Sequence, residues 1–308
     1  MDLIFLGTGA AWSLPELNCD CMICREMRLQ GEKRTRPAFL LKGEGTILMD
    51  CGPDIGSQLR MQEVGRPDGI LITHEHGDHY MGLDELNSYK RAAPRGTFKP
   101  IPVYLTKRSW EVIGMRFGYL VDMGVIEIHE VEPDRSYTLM GLDFSPFKTN
   151  HGSFATGSVG YIIRTNDRQG KEVRLVYTSD FLDLPESPPD LFDADYLIIQ
   201  AFWLHEPVKN VPHHMSFQRA LEFIKQWRPK REAFLVHMGD GDVVPGDPAN
   251  EMLKKNKPAD PLRPPIGGAP YPPPLNQAEW QKVVNQIGSD FGLPIKITVA
   301  HDNLLVEI

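Results

Sequence analysis

In the stretch LITHEHGDHYMGL, residues 71–83, three histidines and an aspartate fall within six positions: His74, His76, Asp78 and His79. Histidine supplies only 10 of the 308 residues, so this crowding is not a scatter of unrelated surface side chains. Imidazole nitrogens and carboxylate oxygens are the donors preferred by zinc and, with more oxygen, by manganese or iron. A second group, NCDCMIC, sets Cys19, Cys21 and Cys24 in C-x-C-x-x-C spacing, close enough for three thiolates to meet one structural zinc. No thioredoxin-like pattern accompanies these cysteines, so a redox pair is the weaker account. Cys51, after ILMD, is expected to be a small core residue.

These side chains need elements to hold them. GILIT should be a buried strand, and His74 and His76, two residues apart as the chain leaves it, then point to one side. Asp78 and His79 face a neighbouring point at the turn into the next helix. DLIFLG, PAFLLKG, GTILMDCG, PVYLT, VIEIHEV, LDFSPFKTNH, VGYIIRT, VRLVYTSD, DYLIIQ, AFLVHMG, IKITVAH and LLVEI also read as strands. Residues 54–65, 83–92, 215–227 and 276–288 read as helices, the last opened by Asn276 and Glu279 in capping-box spacing. There are more strands than helices can separate one by one. The order therefore predicts a four-layer αββα sandwich of two mixed sheets, one domain over residues 1–308. Ten of the 26 prolines lie between Pro245 and Pro274. That insertion, about residues 243–275, is too poor in donors for a central strand. It is expected to be either a lid emerging beside the metals or a disordered excursion.

Composition limits the function. A formal net charge of -8 and a pI near 5.7 provide no broad basic surface, which argues against nucleic acid as partner. The stretch KRAAPRGTFK reads as a solvated loop. No run approaches the roughly 20 apolar residues of a membrane span. MDLIFLG fits a first strand and not a signal peptide, and the cysteine usage is not that of a secreted disulfide framework. The expected location is the cytoplasm and the expected partner a small-molecule substrate, with a homodimer left open. GTGAA at 7–11 fails as a dinucleotide motif because Trp12 takes the sixth position, and a tight turn near the metal site is expected there instead.

HEHGDH matches the H-x-H-x-D-H signature of the metallo-β-lactamase superfamily, and the chain around it resembles that superfamily's αββα fold from end to end. The resemblance implies further ligands after later strands: His151 in FKTNHGS, Asp180 in LVYTSD and His237 in FLVHMG. His74, His76 and His151 would hold one divalent ion, Zn or Mn, and Asp78, His79 and His237 a second, with Asp180 shared. Two such ions deprotonate a bridging water and clamp the attacked group's oxygens, chemistry equally suited to phosphodiesters, lactones, β-lactams and thioesters. A histidine at position 76, where the flavodiiron branch has an acid, favours hydrolysis over redox work.

GTGAAWSLPELNCDCMIC resembles the start of the cyclic phosphodiesterases of phosphonate breakdown and of the related PQQ-biosynthesis protein. The phosphodiesterases complete their cysteine zinc site with a histidine where this chain has Asp240, so Asp240, Asp242 and His301 are the candidates, in that order. His214 matches a histidine that faces substrate in that family. The resemblance thus implies a phosphodiesterase acting on a small diester, cyclic or acyclic, through a metal-bridging hydroxide. Asp78 would orient or deprotonate that water, and His214 would stabilise phosphate charge or protonate the leaving oxygen. A hydrolase of another ester and a catalytically weak accessory or carrier protein are the alternatives. Transfer-RNA 3′ processing shares the signature, but no RNA-binding arm is evident. His129 reads as a strand residue, and His205 and His213 are ambiguous.

Overall fold

The computed structural model describes residues 1–211 and 213–308. Two seven-stranded mixed sheets form the centre. In the first the order is β14 (Leu304–Glu307), β1 (Asp2–Gly7), β2 (Ala38–Lys42), β3 (Thr46–Met49), β4 (Gly69–Leu71), β5 (Ile101–Thr106) and β6 (Ile126–Val131). In the second it is β13 (Lys296–Val299), β12 (Glu232–Val236), β11 (Tyr196–Gln200), β10 (Glu172–Tyr177), β9 (Val159–Asn166), β8 (Leu142–Lys148) and β7 (Tyr137–Leu139).

Side chains alternate across each strand, and this period of two builds the layers. Leu3, Phe5, Leu41 and Met49 face the second sheet and share a cluster with Phe144, Tyr161, Tyr177 and Phe234. Phe5 packs against Phe39 and Phe234 at ring-centre distances of 5.2 and 5.1 Å. Ile4, Leu40 and Leu48 face outward onto α2 (Ile55–Met61) and α5 (Lys107–Asp122), with the short helices α3 (Gly77–Tyr80) and α4 (Asn87–Ala92) between those two in sequence. On the far side, Leu197, Ile199, Leu235 and Ile297 meet α6 (Phe217–Trp227) and α7 (Gln277–Asp290). The αββα expectation is met. Strand β11 is buried throughout, as a parallel strand covered on both faces must be.

The α6 stripe of Phe217, Ala220, Leu221, Ile224 and Trp227 is buried, and Ser216 caps the helix by accepting from the Arg219 N–H at 3.1 Å. Asn276 caps α7 through the Glu279 N–H (2.9 Å), while the Glu279 carboxylate accepts from the Leu275 N–H (2.9 Å), so the box forms one residue out of its usual register. β7, α5 and α1 (Met22–Gln30) lie outside the elements that the sequence pattern predicts. Residues 245–274 form an excursion of irregular backbone around one 3-10 turn, Pro248–Glu251. Val208 N–H donates to the Lys257 carbonyl (2.9 Å) and Ala259 N–H to that of Glu206 (2.8 Å), and Leu262 and Tyr271 enter the core beside α6 and α7. No helix among the described residues is long and apolar enough to cross a membrane.

Candidate metal centre

Strands β8, β10 and β12 run the same way, and β4 delivers its loop to the same edge of the sandwich. His74, His76, Asp78 and His79 follow β4, His151 follows β8, Asp180 follows β10 and His237 follows β12. The ligand atoms of His74, His76 and His151 lie within 4.8 Å of one another, as do those of Asp78, His79, Asp180 and His237. Asp180 Oδ2 sits between the sets, 2.8 Å from His237 Nε2, 3.5 Å from His79 Nε2 and 3.7 Å from His151 Nε2. All seven sequence-derived positions therefore converge in two abutting groups.

The supporting contacts orient these rings. Asp50 Oδ2 lies 2.8 Å from His79 Nδ1, turning His79 Nε2 toward Asp78 and Asp180. Asp50 is itself held by the Thr73 N–H (2.8 Å) and the Tyr177 hydroxyl (3.0 Å). Thr73 Oγ1 lies 3.0 Å from His74 Nδ1, and Gln200 Nε2 lies 3.0 Å from His237 Nδ1. Glu75 points away from the ligands and ties the loop down, accepting from Ser109 Oγ (2.8 Å) and the Gly157 N–H (3.0 Å). Asp50, Ser179 and His237 have φ of 61°, 57° and 57°. Left-handed backbone at a residue other than glycine costs about 1 to 3 kcal/mol, and these three examples sit at strand ends that carry the site.

Electrostatics prepare the donors. Burial works against ionised Asp78 and Asp180, but the charges of His79 and His237 outweigh it and hold both carboxyls well below the usual range. Burial pushes His74 well below its ordinary value and His151 down to about 4. Burial also opposes charge on His237, yet Asp180 and Asp78 raise it to about 9. Ionised carboxylates and unprotonated imidazoles are the forms that ligate, so Asp78, Asp180, His74 and His151 are ready, whereas His237 and His79, the latter raised against burial by Asp78 and Asp50, would release their protons to an entering ion. His74 Nε2 is buried with no hydrogen-bond partner, whereas His79 Nε2 and Asp180 Oδ2 are buried with only the ion-pair contacts given above. An orphaned polar atom costs about 1 to 3 kcal/mol, which a cation bound at His74 Nε2 would offset. The residues present fit two divalent ions.

His214 lies before α6 and beside the ligands, with Nδ1 3.8 Å from Asp180 Oδ2 and 2.8 Å from Gln200 Nε2. Its ring stacks on Phe202 at 4.6 Å with 9° between the planes. Burial pushes its pKa well below the ordinary value. A cavity of about 330 Å³ opens here, its floor formed by His76, Asp78, His151, Asp180 and His214. The loop carrying GTGAA reaches its edge through Ala11 and Trp12, but residues 7–11 form no tight turn: Gly7 ends β1 and Gly9 bridges Met238, so the segment continues in extended form past the site. None of residues 243–275 lines this cavity, which corrects the lid expectation. The excursion is drawn instead to the cysteines.

Cys19, Cys21, Cys24 and Asp240 form the other cluster, again within 4.8 Å. Asp240 Oδ2 is 3.0 Å from Cys24 Sγ and 3.6 Å from Cys21 Sγ. Asp242 turns away to accept from the Leu204 N–H (3.1 Å), and His301 is exposed beside the Asp302 carbonyl, so neither joins the cysteines. Lys254, from the proline-rich excursion, places its ammonium 2.9 Å from Cys19 Sγ, 3.0 Å from Glu16 Oε2 and against Asp240. Of the remaining histidines, His129 is a β6 residue stacked on Tyr104, and His205 anchors the excursion through Leu262 and Tyr271. His213 lines the cavity mouth.

Two mixed sheets between helical layers, with histidines and aspartates gathered at one edge, define a metallo-β-lactamase fold. Residues 45–238 match the β-lactamase superfamily domain, and the chain belongs to that family. An octanoyltransferase of Porphyromonas gingivalis is 27% identical over 77% of this chain and 46% of its own length. Ribonuclease Z of Pyrococcus abyssi is 28% identical over 55% of this chain and 50% of its own. The chain thus spans about half the length of these curated relatives. Among solved structures, a diphosphatase of the PhnP family has a TM-score of 0.70 at 22% identity, covering 100% of this chain and 96% of that one. Zinc-bound PqqB from Methylobacterium extorquens has a TM-score of 0.71 at 18% identity, covering both chains completely. The fold implies divalent metal ions.

Proposed function

We propose that this chain is a dinuclear metal-dependent hydrolase, and specifically a phosphodiesterase for a small diester. The observation that carries this reading is the pair of ligand sets joined at Asp180, opening into a cavity whose wall adds His214. Two of the similar proteins, ribonuclease Z and the PhnP-family diphosphatase, have names that denote cleavage at phosphorus, which supports a phosphate substrate. His74, His76 and His151 would hold one ion, Asp78, His79 and His237 the other, and Asp180 both. Bound there, the ions would supply an activated water and screen the charge on phosphate oxygens.

The chain's own residues do the rest. Asp78, ionised and 3.2 Å from His79 Nε2, can accept a hydrogen bond from the attacking water and orient it. His214, fixed by Phe202 and Gln200, presents a ring N–H to the non-bridging or leaving oxygen. Cys19, Cys21, Cys24 and Asp240 would hold a structural zinc with none of the seven dinuclear ligands among its donors.

Protein purified without chelator and loaded with zinc or manganese is expected to hydrolyse bis(p-nitrophenyl) phosphate, with p-nitrophenyl acetate, a lactone and a thioester as comparators. His214→Ala should keep both metals and lower kcat on a diester by about 10² to 10⁴. The loss should shrink with a good leaving group such as p-nitrophenolate if His214 protonates the leaving oxygen, and persist if it stabilises phosphate charge. Two bound ions with turnover of the carboxylic esters alone would overturn the phosphodiesterase reading, and two ions without any turnover would favour an accessory protein.

A further inference from the structure

The mouth of the metal cavity is formed by three separate loops, and each places a large apolar side chain there. Trp12 from the loop after β1 is 46% exposed, Phe154 from the loop after β8 is 86% exposed, and Val211 from the loop before α6 is 74% exposed. Apolar groups left in water around one opening are unfavourable unless a ligand covers them, and such patches mark binding sites. Nothing in the core explains these three positions. None of the three belongs to a buried cluster among the described residues, and the Trp12 indole is half in solvent.

The charge of the wall adds a second observation. Among the described lining residues there is no lysine or arginine; the polar groups are the ligands, Ser153, His213 and His214. A terminal phosphate or a diphosphate carries two or more charges, and proteins commonly meet these with arginine forks or lysines. Here charge beyond what the ligand floor can take would have no partner. Lys148 lines an adjoining cavity, on the other side of Gly152 and His213.

We infer that Trp12, Phe154 and Val211 are specificity-determining residues that receive a flat aromatic group, aryl or nucleobase, attached to a singly charged phosphodiester. The inference rests on the hydrolase reading for the position of the phosphate, but the contacts belong to the rim alone. A flat ring entering between the Trp12 and Phe154 loops would stack on or meet the edge of either aromatic and exchange three exposed apolar surfaces for one buried contact. A methyl ester would leave the rim in water. A monoester would bring an extra charge without supplying a cation.

Calorimetric binding to the metal-loaded protein tests this without requiring turnover. Diphenyl phosphate is expected to bind at least about tenfold more tightly than dimethyl phosphate, the scale of one buried aromatic contact. It should also bind more tightly than phenyl phosphate, the dianion. Trp12→Ala and Phe154→Ala, both at exposed positions, should keep the metal content and remove most of that preference. Val211→Arg should supply the missing cation and tighten phenyl phosphate. A p-nitrophenyl ester of thymidine 5′-monophosphate, tested as a competitor of diphenyl phosphate, separates a nucleobase from a simple aryl group.

Equal binding of diphenyl and dimethyl phosphate, or a preference that survives both alanine variants, would overturn the inference. A rim preference in protein that hydrolyses no diester would overturn the proposed reaction while leaving the rim assignment standing. Diester turnover indifferent to the ester group would do the reverse.

Discussion

The Asp50 carboxylate belongs to neither ligand set, yet it meets Thr73, Tyr177 and His79 at once. Its contact with His79 Nδ1 fixes which ring nitrogen is left for a metal, the role carboxylates often play behind ligating histidines. Asp50→Asn keeps the shape but removes the charge and offers a donor where an acceptor is needed. The expected result is a loss of about 10- to 100-fold in affinity for one of the two ions, read by competition with a chelating dye. Affinity equal to wild type would reduce Asp50 to a packing residue. Residue-scale chemistry was legible in the sequence wherever several donors crowd one turn, as at His74 to His79, or wherever the resemblance assigned a place, as for His151, Asp180 and His237. Asp50, Gln200 and Lys254 were not, because a single polar residue after a strand or within a loop carries no spacing signal. Asp50 stands beside Cys51 in the strand ILMD that was read for its core.

Elements place these residues through close backbone contact as much as through side chains. The turn after β3 runs against the signature loop: Cys51 N–H donates to the His79 carbonyl (2.7 Å) and Gly82 N–H to that of Cys51 (2.8 Å). A Cβ on Gly52 would lie 2.0 Å from the Asp78 carbonyl oxygen, closer than atoms can approach, so the loop carrying Asp78 and His79 would have to move. Gly52→Ala should therefore lower the melting temperature and the metal stoichiometry together. Gly43→Ala, where the nearest atom is a flexible methionine carbon at 3.7 Å, should change neither. Full metal loading in Gly52→Ala would show that the turn can yield without disturbing Asp78. Most strands were legible because their buried runs are continuous, as in β11, or alternate cleanly between two cores, as in β1. Helix α5 was not: Gly114 and Gly118 interrupt its apolar stripe, and KRSW gives its first turn a polar start after Thr106. The three-residue β7 is too short to show a period, and in α1 the cysteines were read for their ligands, not for a helix beginning at Met22.

At the scale of the molecule, the metal centre is a seam between the two sheets. His74, His76, Asp78 and His79 come from the first sheet, and His151, Asp180 and His237 from the second. The two sheets are otherwise joined by the nondirectional core of Phe5, Phe39, Tyr177 and Phe234 and by a few hydrogen bonds, such as those from the Tyr177 hydroxyl to Asp50 and from the Tyr161 hydroxyl to the Ile72 carbonyl, so bound ions would add further directed links at one edge. An unfolded chain cannot assemble ligands from positions 74 to 237, so ion binding favours the folded state by mass action. At a free ion concentration 1,000 times Kd, the gain is about 4 kcal/mol per site. For domains of a few hundred residues each kcal/mol is worth roughly 2 to 4 °C, so removing both ions should lower Tm by on the order of 10 °C or more. Without ions, the folded state also keeps His74 Nε2 buried and unpaired. Scanning calorimetry in buffered free zinc, and again after dialysis against a chelator, measures the difference. In the variant Cys21→Ser, whose change lies in the other cluster, the zinc-dependent shift should shrink without vanishing, because the dinuclear seam remains. An identical Tm with and without ions, in protein shown to bind two at the seam, would mean that the core alone holds the sheets in register and that the ligands are organised before any metal arrives.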